Sequence, residues 1–306
     1  MKPLPTSRAL LALLLAACAG KAAPSSSPAV DAGSVLPAGA SCPTPPAKPP
    51  AHPPLDPGSV VRFGATTYWE GFDGGVQDPN GSNWWVNELP PHEVTLDAFS
   101  IDRTEVTAQA YATFLSWSGG LGHWSSLMPV VVGPTTADYA PVPDGGTLPA
   151  SYVTWYDARA FCLWMGGDLP TEAQWEFAAK GAESRVYPWP PDGGGPSCEQ
   201  AVFFTGDVDC ADAPRPVGTH PLGDTPEGLH DMAGNVAEWV LDSYDGYPAA
   251  PQVNPVDEDG GRYGGAPKVV RGGGYRDLGI SLRTTARWPA DPDLRSPGVG
   301  FRCAYP

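Results

Sequence analysis

Basic residues are scarce in this chain. Lys and Arg together number 18 against 34 Asp and Glu, a formal charge of −16. Proteins that hold nucleic acid do so largely with cations that neutralise phosphate, so this balance excludes a nucleic-acid partner. It is compatible with calcium, which takes carboxylate and carbonyl oxygens, and equally with plain solubility. Charged residues as a whole make up only 17%. Histidine is rarer still. His52, His92, His123, His220 and His230 are scattered, and no two stand at the i, i+4 spacing of a helical metal pair. No nucleophile elbow is present to signal a Ser-His-Asp triad. Long apolar runs are also missing. Ala9 to Ala17 is too short to span a bilayer as a stable helix.

Glycine and proline, by contrast, are plentiful, 37 and 38 of 306 residues. The folded part should therefore be rich in loops and turns rather than long helices. The chain begins "MKPLPTSRALLALLLAACAG", a short basic region with Lys2 and Arg8, then the apolar run, then "LAAC". That ending resembles the lipobox of bacterial lipoprotein signal peptides, which implies cleavage before Cys18 and lipid on its thiol; a simple secretory peptide is the alternative. Residues 1–18 are thus expected to be a signal peptide and lipidated cysteine. Residues 19–57 are Ala, Ser and Pro, as in "CPTPPAKPPAHPPLDP". This composition is too polar to pack and favours extended polyproline, a semi-stiff tether. Residues 58–306 have the composition of a folded domain.

Within that domain "HEVTLDAFSIDRTEVT" alternates in part and suggests strands. Thr107 is placed to cap a helix, "AQAYATFLSWS", stopped by Gly119 and Gly120. Thr154 is placed to cap "WYDARAFCLWM", with Trp155, Ala158, Cys162 and Met165 near one face. Thr171 and Gln174 in "LPTEAQWEFAAKG" have the spacing of a capping box, and Gly181 stops that helix. Trp175, Ala178 and Ala179 would face inward. Beyond Lys180 helical periodicity fades into short segments between turns.

The segments "GGDLPTEAQWEFAAKG", "GLHDMAGNVAEWV", "VVRGGGY" and "PGVGFRCA", in that order from about Phe63 to Pro306, resemble the sulfatase-modifying-factor family, that of the formylglycine-generating enzymes. The resemblance implies an α+β fold, an elaborated C-type-lectin-like architecture, loop-rich with few short helices and strands. It further implies a structural calcium on the "D-x-x-G-N-x-x-E-W" turn. The ligands carried over are the Asp231 side chain, the Gly234 and Val236 carbonyls and the Glu238 carboxylate. The bland alternative is that Asp231 and Asn235 cap turns and Glu238 is solvated. A second family calcium site lacks its asparagine, which falls at Val202. Cys162 and Cys303 match a family disulfide, which would contribute roughly 4–5 kcal/mol in the chain-entropy model. Cys198 and Cys210 bracket one loop and are expected to pair locally. Cys42 is left over in the tether.

The stretch "RGGGYRDLGISLRTTARW", Arg271 to Trp288, decides the chemistry. Catalytic members of the family carry two copper(I)-binding cysteines here. Soft thiolates suit copper(I), and carboxylate or glycine cannot replace them. The positions that align with the cysteines hold Asp277 and Gly279, and the segment between is shorter. No copper is expected and no residue is assigned as catalytic. Arg276, Asp277, Arg283 and Arg287 could instead bind a polar or anionic ligand over an aromatic floor of Trp239 and Trp288. Alternatively the arginines are buried with acids and the tryptophans fill the core. The leading expectation is an exported, lipid-anchored protein of the bacterial cell envelope. It touches the membrane through Cys18 and binds an unknown protein, peptide or glycan at the former active-site surface. An enzyme of altered chemistry in the same pocket, or a structural subunit of an envelope complex, are the alternatives.

Overall fold

Two helices begin on capping boxes, as the Thr-x-x-acceptor spacing requires. The Thr171 side chain accepts from Gln174 N while the Gln174 side chain accepts from Thr171 N, and Thr154 and Asp157 do the same. Each box satisfies two of the amide donors left bare by a first turn. The structure, a computed structural model, describes residues 56–72, 84–118, 146–257 and 266–306. The signal peptide with Cys18, the tether with Cys42 and His52, the Gly119–Gly120 stop and His123 lie outside the described residues.

In chain order the strands and helices are β1 (Val60–Phe63), β2 (Thr66–Glu70), β3 (His92–Leu96), β4 (Phe99–Asp102), α1 (Ala108–Ser118), α2 (Trp155–Trp164) and α3 (Glu172–Lys180). Then come β5 (Ala237–Ser243), β6 (Gln252–Val253), β7 (Lys268–Arg271), β8 (Arg287–Ala290), β9 (Val299–Phe301) and β10 (Ala304–Tyr305). After Lys180 the described helices are short 3-10 turns only, the loss of helical periodicity read from the sequence. Small helices on small sheets, with long loops between, make this an α+β, loop-rich fold.

Three small sheets form, ordered β1-β4-β10, β2-β3-β6 and β8-β7-β5-β9. The four-stranded sheet matters most for function. Its β5 is buried at every residue, polar ones included, because β7 and β9 flank it and α2 and α3 pack on it. One core cluster gathers Tyr111, Phe114, Trp155, Phe161, Trp239 and Phe301. A second gathers Leu96, Ile101, Trp175, Phe177, Leu229 and Val240. Trp175, Ala178 and Ala179, expected to face inward, are fully buried. The Cys162–Cys303 disulfide ties α2 to the chain end across 141 residues, and Cys198–Cys210 closes a loop of 12.

Candidate functional site

The glycine-rich stretch leaves β7 at Arg271 and turns through Gly272 (φ 84°) and Gly273 (φ 68°), where L side chains are strained. A Cβ added at Gly274 would stand 2.7 Å from the Gly298 carbonyl, so the turn sits directly against the segment entering β9. Tyr275 N donates to Asn235 O at 2.9 Å. Asp277 closes the turn: its Oδ2 accepts from Gly274 N at 2.8 Å. The loop held by Cys198–Cys210 braces the outside, with Phe204 N donating to Asp277 O at 2.9 Å and Phe204 bridging Leu278.

Between this turn and the four-stranded sheet lies a cavity of about 750 Å³. The loop supplies Arg276, Asp277, Leu278, Gly279, Ile280 and Ser281. The sheet supplies Ala237, Val270, Trp288, Pro289, Ala290 and Val299, and Leu294 completes the wall. Apart from Arg276 and Asp277 no lining side chain ionises. Most of the wall is apolar, and no cysteine or histidine reaches it. The sequence named Arg276, Asp277 and Trp288, and it missed the aliphatic walls.

Three other residues expected on this surface are elsewhere. Trp239 is fully buried, and its indole donates to Val153 O at 3.0 Å; it belongs to the core. Arg283 donates from both terminal nitrogens to Glu88, at 2.6 and 2.7 Å. Arg287 does the same toward Glu172 from Nε and Nη2, at 2.8 and 2.7 Å, and its Nη1 donates to the Asn87 and Asp245 carbonyls. The physical reason is the cost of desolvating a guanidinium, which only a well-oriented carboxylate offsets. Arg283 is therefore not available to join Arg276 and Asp277 at the cavity wall. Replacing Arg283→Met should destabilise the protein by about 3–5 kcal/mol by stranding the Glu88 charge, and the double variant Arg283→Met/Glu88→Leu should recover most of it. Urea unfolding measures both; equal losses in single and double variants would contradict the pairing.

The turn expected to hold calcium bends sharply, and its acids are engaged by other groups. Asp231, Gly234 and Asn235 all have positive φ. Asp231 Oδ2 accepts from Gly218 N at 2.5 Å. Glu238, expected as a ligand, gives both oxygens to Arg302 at 2.7 Å each, and Oε2 also accepts from the Trp175 indole at 2.8 Å. Glu105 was missed. It is almost fully buried, its Oε1 accepts from Asn235 Nδ2 at 2.9 Å, and its Oε2 has no hydrogen-bond partner. Burial, then the neighbouring Asp231, push its carboxyl well up. At the site that lacks the family asparagine, Val202 is buried and its carbonyl accepts from Asn235 N. Asp207, Asp209 and Asp212 near it are exposed. Among the described residues no three His, Cys, Asp or Glu side chains converge as a metal cluster.

A second, polar cavity of about 420 Å³ is lined by Glu70, His92, Glu172, Asp242, Tyr247 and Arg287 among others. His92 Nε2 lies 3.3 Å from Glu70 Oε2. Burial pushes Glu70 up to about 7, with His92 opposing it. Burial alone would lower His92, but the Glu70 contact reverses that and holds its proton. Asp242, desolvated and beside Glu172, is pushed up to about 7, and desolvation lifts Asp102 to about 7 as well. Burial would raise Glu176 too, but Lys180 and Arg271 overcome it and hold it low. The raised acids keep protons in the fold that the unfolded chain releases near pH 4, so folding takes up protons. Stability should fall as pH rises from about 4 through about 7. The thermal midpoint is expected to be higher at pH 5.5 than at pH 8, with Asp242→Asn flattening the slope; a midpoint rising toward pH 8 would contradict these assignments.

A family model described as a sulfatase-modifying factor enzyme 1-like domain matches residues 60–305. The serine/threonine-protein kinase pkn1 of Chlamydia caviae is 33% identical over 71% of this chain and 34% of its own length. The chain thus spans about a third of the curated relatives it matches first. The inactive C-alpha-formylglycine-generating enzyme 2 of Mus musculus is 30% identical, covering 75% of this chain and 81% of that protein. The formylglycine-generating enzyme of Streptomyces coelicolor is 33% identical, covering 71% and 81%. Among solved structures, PvdO from Pseudomonas aeruginosa superposes with a TM-score of 0.62 at 25% identity, covering 80% of this chain and 93% of that one. The four ordered motifs, the α+β fold and the match over residues 60–305 place this chain in the sulfatase-modifying factor enzyme 1-like family.

Proposed function

We propose that the chain is an exported bacterial lipoprotein, anchored through Cys18, whose domain binds an apolar ligand or partner in the 750 Å³ cavity without running the family's copper-thiolate oxidation. One observation carries this reading. Asp277 and Gly279, which align with the copper-binding cysteines, both line that cavity, and neither offers sulfur. A Cβ added at Gly279 would stand 3.0 Å from Pro196 and 3.3 Å from Phe203, so a side chain there requires its neighbours to move. The described cysteines, Cys162, Cys198, Cys210 and Cys303, are all held in disulfides. An oxidase that forms a mixed disulfide with its substrate needs a free thiolate. The similarity to a mammalian relative named as inactive supports the same reading. The "LAAC" leader supports export and anchoring. A volume of this size with mostly apolar walls suits a small molecule or an inserted side-chain cluster.

A structural calcium at the turn of residues 231–238 is part of the proposal. Asp231 and the Gly234 and Val236 carbonyls would hold it, with Glu105 supplying the second carboxylate because Glu238 serves Arg302. The unpartnered Glu105 oxygen supports this. Bound there, calcium would supply only charge neutralisation and cross-linking of loops.

Incubated with a sulfatase-motif peptide and copper, the protein should leave the peptide cysteine unchanged by mass spectrometry; formylglycine in the product would overturn the non-catalytic reading. The uncharged dye N-phenyl-1-naphthylamine should bind with 1:1 stoichiometry and fluoresce. Leu278→Asp, at an exposed position on the rim, should weaken binding. Failure of the dye to bind would remove the apolar-cavity reading. Calcium should raise the thermal midpoint over a chelator control, and Glu105→Gln should shrink that gain; equal midpoints with and without calcium would eliminate the site.

A further inference from the structure

Resting on that reading, we infer that the cavity's ligand is an apolar molecule carrying one anionic head group, a fatty or aromatic carboxylate, with Arg276 as its counter-ion.

Two arginines line the larger cavities. Arg287 is committed to Glu172. Arg276 lines the apolar cavity, is exposed, and has no carboxylate partner among the described residues. What sets Arg276 apart is its place: it is the cationic side chain on a wall that is otherwise mostly apolar. The guanidinium lies 5.2 Å from the Tyr275 ring centroid, and that buried ring gives it a platform. A guanidinium positioned this way loses less freedom on meeting a carboxylate, whose two oxygens match its fork.

The rest of the wall demands an apolar body. Val270, Ile280, Trp288, Leu294 and Val299 surround the space, and burying their surface drives association. Asp277, the other ionisable wall residue, spends one carboxylate oxygen on Gly274 N. Its remaining charge opposes an anion, which makes it a second lever for the test. A peptide strand is disfavoured as occupant. The wall strand β8 is the edge of its sheet, but Pro289 in its middle lacks the N–H that strand addition would use. The overall charge of −16 repels anions at a distance, yet beyond about 8 Å this is screened at physiological ionic strength, so the local guanidinium decides.

The matched probes are sodium decanoate and decan-1-ol, which share a tail and differ in the head. Each is titrated against the purified full chain by calorimetry and by displacement of N-phenyl-1-naphthylamine. Decanoate should bind about tenfold tighter than decanol. Arg276→Gln, at an exposed position that folding tolerates, should abolish that preference while leaving decanol affinity within about twofold. Asp277→Asn should strengthen decanoate binding. Equal affinity for the two probes, or a preference that survives Arg276→Gln, overturns the head-group assignment and leaves the apolar-cavity reading standing. If the dye, decanol and decanoate all fail to bind, both fall together.

Discussion

Four glutamates buried against four arginines hold this molecule in register. Glu176 meets Arg271, Glu172 meets Arg287, Glu88 meets Arg283 and Glu238 meets Arg302, each side chain almost fully buried. Hydrophobic burial is non-directional, and a fold of short strands and long loops has few hydrogen-bond ladders to set direction. Paired guanidinium and carboxylate planes supply it. Glu172 and Glu176 stand one turn apart on α3, and they reach β8 and β7 respectively. Arg302 docks the C-terminal segment onto β5 through Glu238 and reaches back to the carbonyls of Asp102, Arg103 and His230. Such pairs add little net stability compared with apolar replacements, but half of one is severely unfavourable. The arrangement therefore tolerates loss of both members far better than loss of one.

The same pairs determine what the cavity can do. They withdraw Arg283 and Arg287 from the surface and leave the wall to aliphatic residues, Trp288 and a single turn bearing Arg276 and Asp277. The family's chemistry needs sulfur at that turn. Here the turn is instead closed by a carboxylate bonded to its own backbone, with the glycine that follows packed against Pro196 and Phe203. The rest of the family architecture, including the long-range disulfide and the capped helix, is retained around it. A retained scaffold does not by itself retain a reaction, because function resides in a site rather than a fold.

Local chemistry was the legible part of the sequence. The cap at Thr154, the capping box at Thr171, the helix stop at Gly181, the strands within "HEVTLDAFSIDRTEVT", and the motif order that implies the Cys162–Cys303 pair all depend on neighbours or on a recognisable pattern. The charge partners were not legible, because Glu88 and Arg283 are 195 residues apart, and nothing local distinguishes a paired arginine from a free one. Strand β5 hid for a related reason. "AEWVLDS" shows no alternation, since both its faces are covered and even Glu238 and Asp242 lie inside. Val270 and Val299 became cavity walls only through the strand order. Glu105 stood in plain view in "DRTEVT", but only its buried, unpartnered oxygen sets it apart.

The loop from Cys198 to Cys210 leans its Phe204 backbone on Asp277 and Leu278. A covalent staple thus bears on the outer lip of the cavity as well as on the small core beneath it. The shape of that lip is therefore set from outside its own segment, by a covalent bond to which neither Asp277 nor Leu278 contributes.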